Sequence, residues 1–88
     1  MTRIPVEVGR VVRSRAGRDQ GRLFLVIGVY DEEHLLIADG DLRKVEKPKK
    51  KKRRHLEATA HYCECPAIEK LKNADVRKLI QNATDKEG

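Results

Sequence analysis

Residues 8–27 read VGRVVRSRAGRDQGRLFLVI. Two apolar runs rich in β-branched residues flank a ten-residue stretch that carries four arginines and two glycines. The first run, residues 8–15, is dominated by Val and Arg and predicts a strand that ends at Ala16 and Gly17. The second, residues 22–30 (RLFLVIGVY), is apolar on both of the faces between which a strand alternates. That pattern predicts a central strand covered on both sides. Gly28 inside it predicts a bulge or sharp bend, which a small closed barrel needs.

Working outward, Asp31, Glu32 and Glu33 are polar enough for a turn, and residues 34–38 (HLLIA) predict a third short strand. Asp39-Gly40 is a two-residue hairpin signal, and residues 42–45 (LRKV) alternate as a fourth strand would. Four short strands within about forty residues are too few for two sheets of any size. A small curled barrel that hides its own edges is the economical arrangement, with an open meander as the alternative. The whole chain has 88 residues, of which 39% are apolar and another 39% charged, so only a small single core is available.

The net charge of +6 is concentrated. Residues 1–45 hold eight Lys and Arg against seven Asp and Glu, residues 46–55 seven against one, and residues 56–88 five against six. The excess therefore sits in the tract Lys47, Lys49, Lys50, Lys51, Lys52, Arg53 and Arg54. Such a block repels itself, so the sequence predicts an extended linker that is either disordered alone or held against a polyanion, of which a nucleic-acid backbone is the commonest. Leu56, just beyond, is placed to dock back as a fifth edge strand. The expected organisation is a barrel over residues 1–46, a basic linker over 47–60 with that edge strand, and a helical segment over 61–88.

Within the last segment, Pro66 suits a first helical position, with Ile68 and Leu71 three apart. Asn73 can cap a second helix in which Val76, Leu79 and Ile80 share a face, while residues 84–88 are expected to fray. Two helices this short must dock on the barrel or on a partner. Cys63 and Cys65 stand one residue apart, a spacing poorly suited to a disulfide, so free thiols are expected. With His55 and His61 they could supply four zinc ligands, but the paired-cysteine gap of structural zinc sites is missing, and no metal or cofactor is expected. No Ser/His or Cys/His pair has an evident orienting group, so an enzyme is not expected either.

The arginine stretch carries the chemistry. Gly17 and Gly21 permit a tight loop with backbone amides at its surface, and Arg13, Arg15, Arg18 and Arg22 project around it. Guanidinium groups and amides are the usual donors to phosphate oxygens. The structural alternative is a glycine-punctuated hairpin whose arginines are merely solvated.

Residues 8–27 resemble the KOW motif of ribosomal proteins and transcription elongation factors. The likeness continues through residues 36–43 (LIADGDLR), the basic tract with His55-Leu56, and residues 73–78 (NADVRK), but not through residues 61–69. Taken together, these segments are similar to the archaeal and eukaryotic ribosomal protein L14e family and its small bacterial KOW-domain relatives. The resemblance implies an SH3-like barrel and RNA binding in a ribosomal or translation setting, with RNA of the large ribosomal subunit the expected partner. Together with the helical segment read above, the expected fold is mainly β with a helical C-terminus, and a cytoplasmic protein is the default. The resemblance also implies that the loop around Gly17, Gln20 and Gly21 approaches RNA, although Gln20 stands where lysine is common. The lysine tract would supply sequence-blind affinity. Phe24 and Tyr30 fall in the expected core strand, which leaves base stacking little to work with. A nuclear localisation signal is a rival reading of PKKKKRR. The rival functional classes are a protein-interaction module docking a partner through the C-terminal helices, and a DNA- or transcription-associated KOW protein. No membrane span is expected, the N-terminus does not read as a signal peptide, and a monomer is the default.

Overall fold

The two β-branched, apolar stretches form the antiparallel pair β1 (Arg10–Ser14) and β2 (Leu23–Val29), with Val12 opposite Phe24. A computed structural model describes residues 6–63 and 70–87. In it β3 (His34–Ala38), β4 (Lys49–Lys52) and β5 (Leu56–Tyr62) complete one antiparallel sheet in the order β4-β3-β2-β1-β5. Among the described residues one α-helix, α1 (Asn73–Glu87), follows. The register between β2 and β3 slips between Val26 and Gly28, so the bulge expected at Gly28 is present.

β4 and β5 occupy opposite edges, yet only the 3-10 turn Arg53–His55 separates them. A flat sheet would hold those edges about 19 Å apart, four strand spacings of about 4.8 Å. The turn advances by only about 2 Å per residue, so the sheet must coil until its edges approach. No ladder joins β4 to β5, and the sheet remains open along that seam.

Coiling divides the core in two. Val12, Phe24, Val26, Leu35, Ile37 and Leu56 fill the inside of the coil. Val11, Leu23, Leu25 and Cys63 face outward, where Val76 and Ala83 of α1 cover them. β2 is thus apolar on both faces because it is covered on both. Burial of Val76 alone is worth about 1.5–3 kcal/mol. The helix spends its apolar face on the sheet, which settles where it docks. No helix of the described residues is long and apolar enough to cross a membrane.

Several expectations are corrected. Residues 42–45 are not a strand: Leu42 is 67% exposed. The Asp39 carboxylate accepts the amides of Asp41 and Arg43 at 2.9 and 2.8 Å and curls the chain, instead of letting a hairpin propagate. The fourth strand is the lysine run itself, not a free linker. Asn73 does not cap its own helix. Its Oδ1 accepts the Val45 amide at 2.8 Å and its Nδ2 donates to Glu46, while the Asp75 carboxylate accepts the Lys72 amide at 2.9 Å in the helix's place. α1 continues to Glu87 rather than ending before Thr84. The first expected helix, around Pro66 and Ile68, lies outside the described residues apart from its end.

Cys63 is not a free thiol but disulfide-bonded. The chain's other cysteine, Cys65, is outside the described residues. The expectation of free thiols rested on the tight ring that a bridge between residues i and i+2 would close and on an N-terminus that does not read as a signal peptide. β5 ends at Tyr62, and Cys63 lies just beyond it, packed in the outer core with its amide donating to the Gly9 carbonyl at 2.7 Å.

Candidate functional site

Four consecutive lysines can form a strand because the strand alternates. Lys50 and Lys52 are exposed, while Lys51 turns inward and is only 8% exposed. Its aliphatic stem packs inside and its ammonium finds oxygen: Nζ donates to the Ala16 carbonyl at 2.8 Å and to Asp19 Oδ1 at 3.1 Å. Lys49 donates to Asp19 Oδ2 at 2.8 Å, and the Ser14 hydroxyl donates to Asp19 Oδ1 at 2.8 Å. One carboxylate in the β1–β2 loop therefore gathers two lysines from β4, some thirty residues away. Burial would raise the Asp19 pKa, but the hydrogen bonds from Lys49, Ser14 and Lys51 outweigh it and hold the carboxyl well below its ordinary 3.8.

A folded pKa below the unfolded one means that Asp19 stabilises the fold fully above pH 3.8 and loses that contribution as pH falls toward the folded value. The thermal midpoint is expected to drop below about pH 4, and the Asp19→Asn variant to show a shallower acid limb. Equal acid limbs in both proteins would assign that loss to other carboxylates.

The loop itself is a tight hairpin end. The Gly21 amide donates to the Ser14 carbonyl at 2.8 Å and the Ser14 amide to the Arg22 carbonyl at 3.0 Å, with Gly17 and Gly21 both at positive φ. The amide of Arg15 donates to the His55 carbonyl at 2.8 Å, which ties the loop to the 3-10 turn. Two segments far apart in sequence, residues 15–20 and 49–55, thus share one rim.

The predicted site residues divide as follows. Arg15, Arg18, Lys47, Lys50, Lys52 and Arg54 are exposed and make no ion pair with an acid among the described residues. Arg53 is exposed and donates to the Val6 carbonyl at 2.9 Å. Gly17, Gln20 and Gly21 are exposed on the loop. Lys49 and Lys51 are held inward by Asp19. Arg22 turns away to Asp39 Oδ2 at 2.9 Å and Asp41 Oδ2 at 3.6 Å. With Arg13, Arg77 and Thr84 it lines an open groove of about 570 Å³ between α1 and the sheet. The four arginines therefore do not form one cluster; two serve the rim and two the groove.

Burial would also raise the Asp39 pKa, yet the amides of Arg43 and Asp41 and the Arg22 guanidinium lower it. His55 is shifted down, first by desolvation and then by Arg54, Lys51 and Lys52, which marks the rim as locally cation-rich.

Sequence reasoning missed Asp19 and misplaced Tyr30. A lone acid between Arg18 and Gly21 gives no local sign of two lysine partners from another strand. Tyr30 lies just past β2, where it is 59% exposed, with Lys50 Nζ 4.5 Å from its ring centroid. The charged turn that follows it is the available clue. Among the described residues no group of three or more His, Cys, Asp or Glu is gathered as a metal site would require. No protein-family model matches the chain, and the search of curated proteins finds no match.

Proposed function

We propose that the protein is a non-enzymatic RNA-binding protein of the translation apparatus that docks electrostatically on structured RNA, with large-subunit ribosomal RNA the favoured target. The observation that carries this reading is the shared rim: the loop bearing Arg15 and Arg18 is tied by the Arg15 amide to the turn bearing Arg53 and Arg54, with Lys50 and Lys52 exposed on the outer face of the adjoining β4, all without acid partners among the described residues. A preorganised row of cations is what a phosphate backbone rewards. The KOW-like residues 8–27 add support, and under this reading the coiled sheet is an opened SH3-like barrel with its loop end toward the RNA. Lys49 and Lys51 hold the rim together rather than contact phosphates.

Binding of a fluorescent RNA hairpin is expected to weaken as salt rises. Changing Arg18, Lys52 or Arg54 to Ala removes one phosphate partner each, and every such removal should make the log–log slope shallower by about 0.7–0.9. The same protein in lysate is expected to co-sediment with the large ribosomal subunit at low salt and leave it at high salt. Unchanged slopes in the variants would sink the assignment of these residues. Stronger competition by duplex DNA than by structured RNA would favour a transcription-associated role.

A further inference from the structure

The outer face of β2, β3 and β4 beyond α1 carries a second kind of chemistry. The ladders place Gly28 opposite Leu36, Leu36 opposite Lys50, and His34 opposite Lys52. Leu35, Ile37 and Lys51 alternate to the buried side, so His34, Leu36, Lys50 and Lys52 share the outer one. Tyr30 joins them at the end of β2, its amide donating to the His34 carbonyl at 3.1 Å. Asp31 Oδ1 contacts His34 Nδ1 at 2.9 Å and accepts the amides of Glu33 and His34, which fixes the turn under the ring. The His34 ring meets Tyr30 edge-on at 6.3 Å between centroids. A rigidly based aromatic residue is thus left 59% exposed.

We infer that this face is a stacking platform for an unpaired nucleobase of the RNA, with Tyr30 under the base and Lys50 and Lys52 on the neighbouring phosphates. The inference rests on the RNA reading and gives it a component that purely electrostatic docking lacks. Two arguments select this occupant. An exposed aromatic ring offers a π-face to any base, and such stacking is sequence-tolerant. Lys50 and Lys52, two residues apart on one strand and without acid partners among the described residues, provide the charge complementarity that an apolar partner would not need. Asp31, Glu32 and Glu33 border the patch on the turn side and confine phosphates to the β4 side. The Lys50 ammonium lies over the Tyr30 ring, 4.5 Å from its centroid, so on binding it would leave the ring for a phosphate and the base would take over the face that the cation holds.

The test uses the full chain and two RNA hairpins that differ only by one unpaired adenosine. Tyr30 and Tyr62 are the chain's two tyrosines and Trp is absent, so in a Tyr62→Phe background the tyrosine emission reports Tyr30 alone. The bulged hairpin is expected to quench that emission, and the fully paired one to leave it nearly unchanged. Tyr30→Ala is expected to weaken binding of the bulged hairpin by about 5-fold or more and to leave the paired hairpin unaffected, while Tyr30→Phe restores the wild-type affinity. Tyr30 is exposed, so an unchanged thermal midpoint in both variants excludes a folding defect. If both hairpins bind without quenching, or Tyr30→Ala weakens both equally, the stacking platform is overturned and electrostatic docking stands. If neither hairpin binds at any salt, the RNA reading fails and the platform with it.

Discussion

Replacing Gly40 by alanine is expected to destabilise the protein by about 2–6 kcal/mol and to loosen α1 from the sheet. Gly40 sits at φ 78°, where an L side chain is strained, and a Cβ there would overlap the backbone carbonyl oxygen of Asn73 and lie 3.0 Å from Arg77 Cγ. The clash falls on the helix's first residue and on the side chain that holds it down, since Arg77 donates to the Gly40 carbonyl at 2.7 Å. Relief requires the helix start to move, and with it the hydrogen bonds that Asn73 makes to Val45 and Glu46. Gly21→Ala separates the two causes. Gly21 has a similar φ of 86°, but nothing lies within 4 Å of a Cβ built there. Its substitution should therefore show the strain alone, about 1–3 kcal/mol. Chemical denaturation ranks the two variants, and amide exchange should show faster exchange in α1 than in β2 for Gly40→Ala. Equal losses in both variants would mean that helix docking contributes nothing to the effect.

The second large effect is expected at Asp19. Its removal strands the Lys51 ammonium at a buried position with the Ala16 carbonyl alone, and losing one partner of a buried ion pair costs about 3–5 kcal/mol. For a domain of this size that lowers the thermal midpoint by about 15–27 °C. Asp19→Ala should be much less harmful once Lys51→Met has removed the charge that needs pairing, since methionine keeps most of the apolar stem. Additive losses in the double variant would show that the two residues are not energetically coupled.

Asp19 also shows where the sequence stops being legible. Strands β1 to β3 could be read because their information is local: short β-branched and apolar runs, a DEE turn, a glycine at the bulge. The same was true of Val76, Leu79 and Ile80 on one face of α1. The fourth strand could not be read that way. Residues 42–45 have the right alternation but lose it to the Asp39 turn, whereas residues 49–52 have no apolar residue and owe their place to a carboxylate in a distant loop. Charge repulsion was the correct local physics for four lysines, and a non-local partner overrode it. For the candidate site, the identity of the cations was legible in composition and spacing. Their division between rim, interior and groove was not, because it depends on which acid each one meets. Tyr30 was misplaced by a single position, the difference between the last residue of a covered strand and the first one past it.

The lysine edge has a consequence for solubility as well. The open seam leaves β4 and β5 with unpaired backbone groups, and an exposed strand edge is a template on which another copy of the chain can add. On β4 such an incoming strand would have to bring its own Lys50 and Lys52 against those already present, so the edge guards itself by like-charge repulsion. That protection lasts only while the ammonium groups are charged and uncompensated. Acetylating those two lysines would therefore convert a self-guarding edge into one open to strand addition, and would promote aggregation of a sheet whose core is untouched.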